Sequence, residues 1–105
     1  MENLREIQQY LTENKCKDIA LYDATKETLD YDYVFVVTLS NVANNKKFAY
    51  NLAQQLGLEE MPEGFNKGEW IIFDLGQILI HSFIPNVREK YNLDKLWKNK
   101  KLNLN

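Results

Sequence analysis

The chain has 105 residues, 45% of them hydrophobic and 27% charged, with a formal net charge of −2. This suffices for one domain with a single modest core, and the chain is too rich in Ile, Leu, Phe and Tyr to be disordered. The slightly acidic balance provides no basic field for strong direct nucleic-acid binding, and no apolar run is long enough to span a bilayer.

The start, Met1-Glu2-Asn3-Leu4-Arg5-Glu6, is polar and amphipathic, unlike a signal peptide. The one cysteine, Cys16, excludes an internal disulfide and fits a reducing, cytoplasmic setting. Its neighbours Lys15 and Lys17 would lower the thiol pKa, but a catalytic cysteine also needs a base, and the only histidine is far off in sequence. A single histidine also argues against zinc, which takes three or four Cys, His or acidic ligands. No metal or cofactor is expected.

Residues 2–14 carry Leu4, Ile7, Leu11 and Tyr10 on one stripe, the pattern of an amphipathic helix packed on a sheet. Residues 18–24 read as a first strand, 25–30 as a turn or loop, and the β-branched run 33–39 as a second, central strand. Asp30 and Asp32 stand just before it. Two carboxylates two apart at a strand edge can hold Mg²⁺, as in nucleotidyl-transfer sites, or can simply be solvated. A Gly-Ser step at a helix start, which such a transferase would want, is missing, as is any Gly-rich phosphate loop. Ser40 or Asn41 caps a helix over about 41–56, with Val42, Ala49, Leu52, Ala53 and Leu56 at helical spacing and Gly57 just past its end. Asn44, Asn45, Lys46 and Lys47 are expected to be solvated. Pro62, Gly64 and Gly68 mark a loop over 58–69.

The stretch Trp70 to Phe83 organises the chain: two apolar, β-branched runs around Leu75-Gly76-Gln77 read as a β-hairpin. Its nearly continuous apolar content suggests cover on both faces. An even-length loop would place Asp74 opposite Gln77, Ile72 opposite Leu79 and Trp70 opposite His81. One face then holds Ile71, Phe73, Ile78 and Ile80, which is core. The other holds Trp70, Ile72, Asp74, Leu79, His81 and Phe83, because strand side chains alternate. A three-residue loop would move His81 across. The mixed face is either a surface that meets a partner or a helix-covered layer with its polar groups satisfied locally. Pro85 and Asn86 start a further helix, and Asn92 recaps a last turn through Trp97. A single domain spans 1–98, and the Lys- and Asn-rich tail 99–105 is expected to fray. The order helix, strand, strand, helix, hairpin, helix predicts an α/β fold: a mixed β-sheet, with some parallel pairing, packed with helices.

The run Glu63-Gly64, Trp70-Ile71-Ile72-Phe73-Asp74, Gly76, Ile80-His81, Phe83, Arg88, Tyr91, Leu93, Leu96-Trp97 resembles the ribosomal silencing factor (RsfS, or Iojap-like) family. Asp18-Ile19, Asp32-Tyr33 and Ser40 match its N-terminal half, so the resemblance covers about residues 16–98. The chain departs from the family pattern at Leu39, usually Gly, and at Asp94, usually Glu. It also lacks a His shortly after Ser40, and its segment before Glu63 is short, which would reduce an edge strand found there in relatives. The resemblance implies a fold like nucleotidyltransferases but lacking their catalytic residues, hence a protein that is not an enzyme. It implies binding to the large ribosomal subunit through ribosomal protein uL14, a block on joining of the small subunit, and lowered translation when nutrients are short. Organellar relatives act in large-subunit assembly, and homodimers occur. The residues expected to bind the partner are Glu63, Lys67, Glu69, Trp70, Ile72, Asp74, Leu79, His81, Arg88 and Tyr91, with Trp70 as anchor. Tyr91 and Trp97 can instead close the core, a role that suits Trp97 better. The competing function is a residual metal-dependent nucleotidyltransferase using Asp30 and Asp32.

Overall fold

A computed structural model describes residues 3–104. Helix α1 (Leu4–Glu13) starts where Asn3 accepts from the Glu6 amide at 2.9 Å, and the Asn3 side chain donates back to the Glu6 carboxylate. The cap satisfies the Glu6 amide, which has no partner within the helix. The expected helix included Glu2, which lies outside the described residues. Strands β1 (Lys17–Asp23) and β2 (Tyr33–Thr38) pair antiparallel, with a bulge between Lys17 and Ala20. Helix α2 (Val42–Leu56) is capped by Asn41, whose side chain accepts from the Asn44 amide at 2.8 Å, and ends at Gly57 with φ +67°.

Strands β3 (Trp70–Asp74) and β4 (Ile78–Phe83) form the hairpin. Two short helices follow, α3 (Pro85–Tyr91) and α4 (Leu93–Leu96), then a 3-10 turn (Lys98–Lys100) and β5 (Lys101–Leu102). The sheet order is β3-β4-β2-β1-β5, and only β2 and β4 run parallel. The expected mixed sheet with helices packed on it is therefore present.

Three expectations need correction. The hairpin pairs Asp74 with Leu79, Ile72 with His81 and Trp70 with Phe83, two residues further along β4 than expected. The turn is Gly76-Gln77, closed by Leu75 N–H donating to the Ile78 carbonyl at 2.8 Å, with φ +88° at Gly76. A glycine at the first position of a two-residue hairpin turn is the II′ arrangement. The loop parity is even, so the two face sets hold. The tail does not fray: Leu102 pairs with Leu21 and Lys101 with Tyr22, and Arg5 donates to the Leu104 carbonyl. Asn45 is not solvated but fully buried.

Helices α1 and α2 cover one face of the sheet. Ile7, Leu11, Phe48 and Leu52 pack there on Phe35, Val37, Ile71, Phe73 and Ile80. On the other face Val87, Leu93 and Trp97 pack on Ala20, Tyr22, Val34, Val36 and Phe83. That cover is incomplete over the hairpin, where Trp70, Ile72 and Leu79 are only half-buried. The expected cover on both faces therefore stops short of β3 and the outer half of β4.

Candidate macromolecule-binding groove

The uncovered part of the mixed face is the floor of an open groove of about 650 Å³. Trp70, Ile72, Asp74, Leu79 and His81 line it from the hairpin, and Pro62 and Glu63 from the loop before β3. The other wall is α4, through Leu93 and Leu96, with Tyr31 also lining the site.

The loop is fixed by backbone packing. Ile72 N–H donates to the Glu63 carbonyl at 3.0 Å, a single bridge where relatives are expected to carry an edge strand. Gly64 lies against this bridge with φ +85°, and a Cβ there would sit 2.0 Å from the Trp70 carbonyl oxygen. Only glycine allows that approach and that conformation. Asn45, on the first turns of α2, donates to the carbonyls of Gly68 at 3.0 Å and Ser82 at 3.1 Å, holding both flanks of the hairpin's open end. Lys46 adds a bond to the Asn66 carbonyl at 3.2 Å and lies over the Phe65 ring.

Trp70 is the centre of an aromatic cluster. Its ring stacks on Phe83 and packs against Tyr91, both with centroids 4.9 Å away. Its indole N–H donates to His81 Nδ1 at 3.0 Å. An accepting Nδ1 puts the imidazole proton on Nε2. Burial lowers the His81 pKa to about 4, so the ring is neutral at ordinary pH. Asp74 accepts from the Gly76 amide at 2.9 Å and so also closes the turn. Glu63 and Asp74 give the groove an acidic margin.

Of the ten residues expected to bind a partner, Glu63, Trp70, Ile72, Asp74, Leu79 and His81 share this groove, and Tyr91 joins it through Trp70. Lys67 and Glu69 lie outside it and pair with each other at 3.4 Å. Arg88 faces a different depression and spends its guanidinium on Asp94, Thr38 and Asp18. Trp97 closes the core, with 8% of its surface exposed, whereas Tyr91 is half exposed.

Sequence reading missed Leu93 and Leu96, although they flank Trp97 at the i, i+3, i+4 spacing that marks one helix face. The Cys16 thiol is buried and its pKa is pushed up to about 12, the reverse of the expected activation by the neighbouring lysines. Asp30 is exposed in the loop before β2. Among the described residues no cluster of three or more His, Cys, Asp or Glu is placed to hold a metal ion, and no helix is long and apolar enough to cross a membrane.

The groove thus combines an apolar floor, an aromatic cluster and an acidic margin on a small mixed-sheet scaffold, the composition expected of an interface core and rim. The family model described as ribosomal silencing factor during starvation matches residues 1–104, so the chain belongs to the ribosomal silencing factor family. It is 30% identical over 95 residues to the ribosomal silencing factor of Chromobacterium violaceum, covering 87% of this chain and 78% of that one. It is 32% identical over 87 residues to that of Haemophilus influenzae, covering 79% and 85%. A shorter match, 43% over 35 residues, covers 33% of this chain and 15% of a mouse protein named mitochondrial assembly of ribosomal large subunit protein 1. A crystal structure of a Chromobacterium violaceum protein superposes with a TM-score of 0.78 at 28% identity, covering 96% of this chain and 91% of that one.

Proposed function

We propose that this protein silences translation by binding the large ribosomal subunit through uL14, at the face where the small subunit joins, and so blocks subunit association under nutrient limitation. It acts by occupying a surface, without catalysis. The observation that carries this reading is the groove itself. Trp70, Ile72 and Leu79 are left half-buried in an otherwise closed sheet. Glu63 and Asp74 beside them suit a basic partner, as ribosomal proteins are, and would steer its approach. Family membership supplies the ribosome.

Trp70→Ala is expected to weaken binding to purified uL14 by about 2 kcal/mol or more, since truncating a central aromatic anchor costs that much. Titration of the folded variant against uL14 measures it, and unchanged affinity removes Trp70 from the interface.

A role in large-subunit assembly is the second reading, favoured by the name of the mouse relative. It predicts accumulation of immature large subunits in cells lacking the protein. A second copy of the chain is a competing occupant of the groove, and a homodimer formed that way would have to dissociate before ribosome binding.

A further inference from the structure

One wall of the groove is too short to hold itself in place. Helices α3 and α4 have seven and four residues and bury none of them. Helices shorter than about 12–15 residues are marginal in water even with favourable sequences. Yet Leu93 and Leu96 of α4 line the groove, and Tyr91 of α3 packs on Trp70.

Trp97, buried against Tyr22 with ring centroids 6.0 Å apart, anchors the chain just past α4. Val87 and Leu93 add half-buried apolar contacts to the same cluster, and a further anchor is polar and faces a separate depression. Arg88 Nε and Nη2 donate to the two oxygens of Asp94 at 3.1 and 2.9 Å. Its Nη1 donates to Thr38 Oγ1 at 2.9 Å and to the Asp18 carbonyl at 2.6 Å. The Tyr22 hydroxyl donates to Asp94 Oδ1 at 2.6 Å.

These bonds join α3 and α4 to β1 and β2. Asp18 lies at the β1 bulge with φ +50°, so the sheet departs from regular geometry where the guanidinium meets it. The Arg88 and Asp94 side chains are only 15% and 27% exposed, so the pair is weakly screened. A planar fork gripping a carboxylate through two bonds fixes orientation as well as distance. Tyr91 lies three residues beyond Arg88, and Leu96 two beyond Asp94, so the grip sets where both groove residues stand.

We infer that Arg88, Asp94 and Tyr22 form a latch that sets the position of the α3–α4 wall and the Trp70–Tyr91 packing, acting as positioning residues for partner binding without touching the partner. This rests on the groove being the ribosome-binding surface.

A double-mutant cycle tests it, reading affinity for large subunits under conditions where every variant is folded. Arg88→Ala weakens binding tenfold or more, and Asp94→Glu, which keeps the carboxylate, retains most of the affinity that Asp94→Asn loses. Combined with Trp70→Ala, Arg88→Ala adds little, because the latch works through the surface Trp70 anchors. Fully additive losses, or wild-type affinity in folded Arg88→Ala, would overturn the inference. If Arg88→Ala does not fold, Tyr22→Phe, which drops one bond to Asp94, carries the same cycle. Hydrogen exchange on the free protein separates this inference from the ribosome reading. Residues 86–96 lose protection in the latch variants while α1 and α2 keep theirs, whether or not wild-type protein binds ribosomes. Unchanged exchange at 86–96 refutes the latch by itself.

Discussion

His81 is the residue whose chemistry the fold changes most legibly. It is the only histidine in the chain, so titration between about pH 6.5 and 4 that is not carboxylate belongs to it. Its folded pKa, about 4, lies below the unfolded value. The unfolded chain therefore takes up a proton first as pH falls. Stability is unaffected by His81 above about pH 6.5, declines from there, and has lost about 3 kcal/mol at most by pH 4. Urea midpoints across that range should fall more steeply for the wild type than for His81→Gln, which cannot protonate; parallel curves would mean that His81 is not held neutral. Gly64 makes a second prediction at this scale. Gly64→Ala must move either the Trp70 carbonyl or the Glu63 bridge and adopt a left-handed φ, for a loss of about 2 kcal/mol or more. Gly76→Ala meets no atom within 4 Å and incurs only the conformational cost of about 1–2 kcal/mol. The Asp94 carboxyl illustrates competing causes. Burial opposes its ionisation, but the Arg88 fork and the Tyr22 hydroxyl outweigh burial and hold its pKa below the usual carboxylate value. That contribution is present above the unfolded carboxylate pKa and disappears as pH falls through the folded one.

At the scale of elements, what the sequence made legible were periodicity and punctuation. Both long helices, the two central strands and the hairpin follow from apolar spacing, Asn caps and Gly57. The division of the hairpin into a core face and a mixed face followed from parity alone, because side chains alternate whatever the pairing. The exact partners did not follow from parity. They depend on which two residues make the turn, and Gly76 standing first in a II′ turn was the available signal. Asn45 was not legible. It occupies a polar run on α2, and only the tertiary approach of Gly68 and Ser82 gives its amide a purpose. Asn45→Ala removes both of these buried bonds and should cost about 1–3 kcal/mol by chemical denaturation. Asn44→Ala, on the exposed face, should stay within about 0.5 kcal/mol. Composition favours fraying of the tail, yet Leu102 and Leu104 pack against the main core. Removing residues 101–105 should cost about 2 kcal/mol through that lost apolar burial, and an unchanged unfolding midpoint would mean that β5 contributes nothing.

For the whole molecule, the main feature is an asymmetry between the two faces of one sheet. The face under α1 and α2 is closed and apolar. The opposite face is closed over β1 and β2 by Trp97, Leu93 and Val87, and left open over the hairpin. If the proposed docking at this open apolar groove with its acidic margin is right, its association rate with a basic partner should fall as salt is raised, because the charges act over about 8–10 Å at physiological ionic strength. Within the candidate site, the hairpin residues were legible from alternation. Arg88 was not, because a lone arginine in a sequence does not reveal that Asp94, Thr38 and Asp18 will occupy it.

The most direct test of the proposed silencing role is sedimentation of the purified protein with large ribosomal subunits, followed by addition of small subunits. The protein is expected to travel with large subunits and to reduce joined ribosomes in proportion to the amount bound, with Trp70→Ala losing both effects. Travel with neither subunit, or undiminished joining when large subunits are saturated, would contradict it.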